Sequence, residues 1–393
     1  MGVSRGATDP NRLFTAAFIA LGLAELAYFV AQGVLIQVTP LFAKNELGAD
    51  PLGVGIAVGA FSVTALILRP WSGRESDRRG RRPLLVIGAV VATLAILGHI
   101  PTGELWVLVV LRLALGVGEA LFFVAGFAML ADLAPPGRAG EALSFNSLAL
   151  YLGIALGPVL GEWLLDGWGY GVAWGAAALL SALAAGISVG LPLTGRAAAG
   201  TDEPFVLIHR GALWPSIGLF TGVAAMAGFL TFVPIYGRDD LGMAASGPVL
   251  LVFGLVVVGC RVLFAKLPDR VPPFRLVAAA LVAVAVGLAI SGLERSVGGL
   301  FVGAAVMAAG VAFLTPAVFA AIVDRIGPGE RGSAFGTVTV FIDLAFGGGP
   351  VLMGLIVDAA DVPVAFIAAS VLPLAGALGA LTVMLRRRAP ATT

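Results

Sequence analysis

Apolar stretches long enough to cross a bilayer, roughly 20 residues each, alternate with short polar breaks from Leu13 to Leu385, and twelve can be counted. They fall at 13–38, 51–71, 84–101, 103–131, 142–163 and 172–191, then at 212–236, 248–266, 276–293, 297–325, 333–357 and 363–385. In hydrocarbon an unpaired backbone N–H or C=O is so costly that spans of this length are expected to be helices. A transmembrane barrel would show alternating segments of about ten residues instead. The first run is too long for a signal peptide and leads straight into a second span, so it reads as a retained helix.

The breaks carry the topology. Of 24 Lys and Arg, only Lys44, Arg238 and Arg295 fall on one side and Arg112 lies inside a span, which leaves 20 on the other side. The positive-inside rule makes the rich face cytoplasmic and puts both termini there, in the cell inner (cytoplasmic) membrane. The six tryptophans, Trp71, Trp106, Trp163, Trp168, Trp174 and Trp214, fall at or near predicted span ends, where the headgroup layer suits an amphipathic ring. The polar stretch from Pro192 to Gly211 is the long break and reads as a cytoplasmic linker between residues 1–191 and 212–393.

The two parts repeat at an offset of 192 residues, which pairs Arg69 with Arg261, Asp77 with Asp269, Asp132 with Asp324 and Asp166 with Asp358. The string GPVL at Gly157–Leu160 recurs at Gly349–Leu352 in the same register. Six spans per copy is an even number, so both copies share one orientation and relate by an axis along the membrane normal. The predicted fold is an all-α polytopic membrane protein of twelve transmembrane helices in two pseudo-symmetric six-helix bundles.

Composition sharpens this. The chain is 59% hydrophobic and 12% charged, against about 25% charged in a soluble protein. A lone Cys260 excludes an intramolecular disulfide or a cysteine metal site. There is no GxxxxGK[ST] string for a nucleoside triphosphate, and no metal cluster, cofactor site or nucleic-acid motif is evident.

Between spans two and three, GRESDRRGRRP at Gly73–Pro83 resembles the signature loop of the major facilitator superfamily. Arg112 with Gly116 and Gly118 in span four is similar to its second motif, and Gly153, Gly157, Pro158 and Gly161 in span five resemble the motif of its proton-coupled drug efflux antiporters. Glu162 stands where that motif usually has a further glycine. The resemblance covers essentially the whole chain. It implies a central cavity lined by spans one, four, seven and ten.

Deep in the spans the sequence places Glu25, Arg112, Glu119 and Asp343, and charges there usually face a cavity or one another. Three acids against one base imply that at least one carboxyl stays protonated, so these four are the candidate proton-coupling residues. Asp343, with no cation in its own half, or one of the glutamates is the expected carrier. A fixed structural network is the competing reading. Candidate cavity residues are Tyr28, Phe29 and Gln32 beside Glu25, Phe122 and Phe123 in span four, and Met226, Phe229, Phe232, Phe313 and Phe319 in spans seven and ten. Candidate gating residues are Gly73, Asp77 and Arg78, with Asp77 clamping the start of span eleven near Gly332 and Ser333, and Asp269 doing the same at Gly140–Ala142. Gly153, Gly157, Pro158 and Gly161 would form a pivoting interface between halves, or simply a tight helix contact.

The expected function is alternating-access, proton-coupled efflux (antiport) of a lipophilic or amphipathic small molecule by a monomer in the lipid bilayer. A proton-linked sugar or nutrient permease is the alternative, and a non-transporting membrane receptor a third. No catalytic role is expected.

Overall fold

The computed structural model describes residues 13–135, 138–194, 208–326 and 330–386. Its first six spans are Ala16–Asn45, Pro51–Gly59 continued by Phe61–Arg79, Arg81–Gly98, Leu105–Leu133, Ala139–Trp168 and Tyr170–Val189. The second six are Leu213–Ile235, Gly247–Leu263, Pro273–Leu293, Val297–Val323, Arg331–Ala359 and Val362–Arg386. No strand occurs among the described residues. Among the described residues, eleven spans are long and apolar enough to cross a membrane. Span eight has 17 residues, about 25 Å at 1.5 Å each, against a hydrocarbon core of about 30 Å.

Local chemistry sets the span starts. Thr15 Oγ1 accepts the Phe18 amide at 3.2 Å, Asp50 Oδ1 accepts the Gly53 amide at 2.6 Å ahead of Pro51, and Ser296 Oγ accepts the Gly299 amide at 3.0 Å. Each side chain takes an amide that the first helical turn leaves unpaired. Spans one and two run further than hydropathy predicted, to Asn45 and Arg79. Trp71 therefore lies inside a helix. Trp174 stays near its span end but is fully buried inside the protein, its ring centroid 5.7 Å from Phe42 and 4.8 Å from His99.

The sequence repeat reappears as packing. A Cβ on Gly118 would lie 2.7 Å from the Gly88 carbonyl, and one on Gly310 would lie 2.4 Å from that of Ala280, the same contact displaced by 192 residues. Below, the basic face is the side carrying the basic loops, and the far face is the opposite side.

Two seams join the parts of the chain before and after the linker. In one, span two meets span eleven through Gly55 on the Pro350 carbonyl, Gly59 on Gly347 and Gly354 on the Pro51 carbonyl. In the other, span five meets span eight through Ala155 on Gly254 and Pro158 on Gly247. The glycine stripe of span five lies elsewhere. A Cβ on Gly153 would stand 2.5 Å from the Phe29 carbonyl and one on Gly157 2.5 Å from Gly33, so these glycines seat span one in its own half rather than forming the expected interface between halves.

Gly157→Val should force spans one and five apart, at about 1–3 kcal/mol or more for overpacking. A lowered melting temperature and a poorer monodisperse yield in detergent would report it. Gly167→Val, at a position with nothing within 4 Å, should leave both unchanged.

Candidate functional site

The site assembles from spans one, two, four and eleven. Arg69, on span two, donates Nη2 to Asp343 Oδ1 at 2.7 Å and Nε to Oδ2, a two-pronged ion pair across the seam between the halves. The side chains are only 12% and 3% exposed. Arg69 also lies 4.7 Å above the Phe123 ring of span four, so its guanidinium is held by a carboxylate in plane and an aromatic face above. Two expectations are corrected here. Three acids face two bases, not one, because the other half supplies Asp343, expected to lack a cation in its own half, with Arg69; and Arg69 belongs with the buried charges rather than with the basic face.

The repeat predicts a second such contact, and it exists. Residues 192 positions from Arg69 and Asp343 are Arg261 and Tyr151, and Arg261 lies 4.8 Å over the Tyr151 ring where span eight meets span five. Both seams therefore carry an arginine at one level, but only one faces it with a titratable acid. Arg261, like Arg69, leaves the count of basic-face residues.

Glu119, half-buried on span four, is within electrostatic reach of Arg69, Asp343 and Arg112. Tyr28 of span one stacks on Phe122 at 4.0 Å between centroids and 12° between planes, close to Glu119, Gln32, Arg69 and Arg112. Tyr28 Oη and Gln32 Nε2 are buried one helical turn apart, interacting with each other and with no other hydrogen-bond partner among the described residues, so the pair can turn to a ligand or water. Phe29 and Phe123 meet edge to face at 6.3 Å beside them. Glu25 is 1% exposed, and its Oε1 lies 2.8 Å from where a Cβ on Gly126 would sit, so it points between spans one and four and not toward lipid.

Arg112 has a definite structural task. Span two is interrupted at Ala60, and the carbonyls of Ala57 and Val58 on the turn before it accept Arg112 Nε at 3.2 Å and Nη2 at 2.8 Å. Ser62 Oγ supplies the Gly59 carbonyl at 2.8 Å. A freed carbonyl in a membrane interior must find a donor, and a planar guanidinium can serve two at once.

The second-half cavity candidates meet other side chains of their own half or lie partly buried. Phe229 is enclosed with its ring 5.1 Å from Phe366, Met226 is buried, and the half-buried Phe319 lies 5.0 Å from Phe335. Phe313 is half-buried on span ten. Phe232 borders a cavity of about 240 Å³ at the far face with Lys44, Asp240 and Asp361.

On the basic face Asp77 bonds to Arg81, whose Nε reaches Asp132 at 3.2 Å and whose backbone amide reaches the Thr194 carbonyl at 3.1 Å. The signature loop thus ties span two to the end of span four and to the start of the linker. Gly73 is open and Arg78 pairs loosely with Glu75 at 4.0 Å. The surroundings of Gly140 and Gly332 and the side chains of Asp269 and Ser333 lie outside what is described, and with them both clamps.

Sequence reasoning missed Arg69 and a buried polar group around Glu162, Gln37 and Arg238. Arg69 had a signal, since it and its repeat mate both fall inside hydrophobic runs. Glu162 had one too, as a carboxylate at a glycine position.

Twelve apolar spans, an internal repeat and a polar cluster where the two halves meet define a polytopic membrane transporter. The family model of the Major Facilitator Superfamily matches residues 21–297 and 275–393, and the chain belongs to that superfamily. An uncharacterised transporter of this type from Salmonella typhimurium is 27% identical over 366 residues, covering 91% of this chain and 94% of that one. Among solved structures, a nucleoside transporter superposes with a TM-score of 0.78 at 13% identity, over 93% of this chain and 99% of that one. A human organic anion transporter does so with 0.73 at 19%, over 95% and 100%. At such identities these likenesses concern the fold alone.

Proposed function

We propose that this transporter is a proton-coupled antiporter that exports a lipophilic or amphipathic small molecule by alternating access, with the basic face and both termini in the cytoplasm. The two halves, divided within residues 192–211, would rock about the central cluster. The observation that carries this reading is the Arg69–Asp343 pair with Glu119 beside it: a titratable contact that crosses from one half to the other. A proton on Asp343 removes the charge that holds Arg69, which loosens the seam between spans two and eleven and frees a guanidinium for Glu119 or for the polar part of a substrate. Glu119 and Glu25 are the further proton sites, with Arg112 fixing the span that carries Arg69. Tyr28 and Gln32 offer polar contacts, and Phe29, Phe122 and Phe123 an apolar wall. Among the described residues, the hydrogen bonds and glycine contacts between the halves run from the far face to the level of Arg69 and Arg261, which supports a conformation closed to the outside.

The test is purified protein in liposomes with an imposed pH gradient and a panel of cationic, neutral and anionic amphipaths. Antiport predicts accumulation against the direction of proton flow; accumulation in the same direction would overturn it in favour of a proton-linked permease. Glu119→Gln should cut gradient-driven uptake at least tenfold while leaving substrate counterflow in place. Loss of both together would point to a structural role instead.

A further inference from the structure

Glu162 is buried at the far end of span five, 3% exposed, and takes no part in the coupling described above. Its oxygens accept hydrogen bonds from Gln37 Nε2 at 3.0 Å on span one and from Arg238 Nε and Nη2 at 3.0 and 2.8 Å beyond span seven. At the start of span eight they accept from the Ser246 amide at 2.8 Å, Ser246 Oγ at 3.0 Å and the Gly247 amide at 2.7 Å. Span eight begins at Gly247 without a side-chain cap of its own. The anion that its N-terminus favours therefore comes from the opposite half of the molecule. Arg238 also grips Asp166 at 2.7 and 2.8 Å, and Lys44 pairs with Asp239 nearby, so Glu162 is the buried centre of an ionic latch across the far face.

All of these contacts are donors, so the latched geometry demands the ionised carboxylate. A protonated Glu162 would face pure donors at Arg238 and at the Ser246 and Gly247 amides, and Ser246 Oγ, which already accepts from Gln37 Nε2, could take its O–H only by giving up its own donation to the carboxylate. Gln37 Oε1, buried with no partner, is an acceptor within the group, but turning the amide to present it withdraws Nε2 from both Glu162 and Ser246. The other seam has no counterpart. The repeat mate of Glu162 is Gly354, where a Cβ would stand 2.4 Å from the Pro51 carbonyl, so backbone contact closes that side.

We propose that Glu162 is a second proton site of this transporter, separate from the central cluster, and that a proton bound there from the far side releases the seam between spans five and eight and favours opening to that face. The sign follows from linkage. The latched geometry holds the charged form, so a proton taken up from the far side weakens it and the open form gains population. The proposal rests on the alternating-access reading, but it needs neither a known substrate nor proton-driven flux. Its test can therefore fail or succeed separately.

Because Cys260 is the only cysteine, Cys260→Ser gives a clean background for a spin-label pair. Gly167→Cys at the end of span five, where an added Cβ meets nothing, and Ala244→Cys at an exposed site before span eight would report the distance across the latch. In substrate-free protein in lipid nanodiscs, the longer-distance population should at least double between neutral pH and about pH 4. Glu162→Gln should show that longer population already at neutral pH and lose the acid response. Arg238→Gln, which keeps the carboxylate, should widen the distribution yet still respond to acid. A Glu162→Gln distribution identical to the parent at neutral pH, or an acid response that survives that substitution undiminished, would overturn the proposal. Widening with acid in a protein that shows no proton-coupled flux would leave the latch standing and sink antiport alone.

Discussion

Asp343→Asn should abolish gradient-driven transport and destabilise the protein at the same time. The substitution leaves Arg69, whose side chain is 12% exposed, without the carboxylate that accepts two of its N–H groups. Removing one member of a buried ion pair costs about 3–5 kcal/mol because the remaining charge stays desolvated. The double variant Arg69→Met with Asp343→Val separates the two effects. With both charges gone and similar volume kept, stability should return to near the parent value, whereas transport should stay at background because no proton site crosses the seam. Melting curves and liposome flux on the same preparations check this. Flux recovered by the double variant would make the pair structural and remove the basis of the coupling proposal.

Arg112→Lys should behave nearly as badly as Arg112→Ala, although it keeps the charge. The side chain is 5% exposed, and its work is to bond the carbonyls of Ala57 and Val58 where span two is interrupted. A lysine ammonium is a point donor and cannot span two carbonyls as the planar fork does. Each buried acceptor left unpaired costs about 1–3 kcal/mol. Hydrogen exchange should rise around Ala57–Ser62 and the melting temperature should fall in both variants. An Arg112→Lys protein with parental exchange in that segment would show that the guanidinium geometry is dispensable. Because span two carries Arg69 one helical stretch further on, transport should suffer as well, through displacement of Arg69 and not through loss of a proton site.

The fold was almost fully legible in the chain. Hydrophobic runs gave the spans to within a few residues, except where span one passes through Pro40 to Asn45 and span two continues to Arg79, because amphipathic helix ends that leave the hydrocarbon carry no hydropathy signal. The 192-residue repeat correctly paired contacts as far apart as Gly118 with Gly310 and Arg69 with Arg261. The site was legible only in part. Tyr28, Gln32, Glu119, Arg112 and Asp343 do surround one region, but the charge count was wrong, because Arg69 was read as a basic-loop residue and its partner lies 274 positions away. Aromatic side chains were the least readable: Phe229 and Phe366 pack together in the second half, and nothing in periodicity separates a wall of a cavity from a helix contact.

By itself, the sequence determined that the solvent is lipid, that the backbone must be helical and that the chain is a doubled six-helix unit, because hydropathy, span length and internal repetition are local or one-dimensional properties. Only the tertiary structure decided which charges meet. Arg69 with Asp343, Glu162 with the start of span eight, and Arg112 with the interrupted turn of span two are all pairings between distant segments. Their physical reason is the same in each case: inside a membrane every charge and freed backbone group must find its complement in space, and the helix packing selects which one is near.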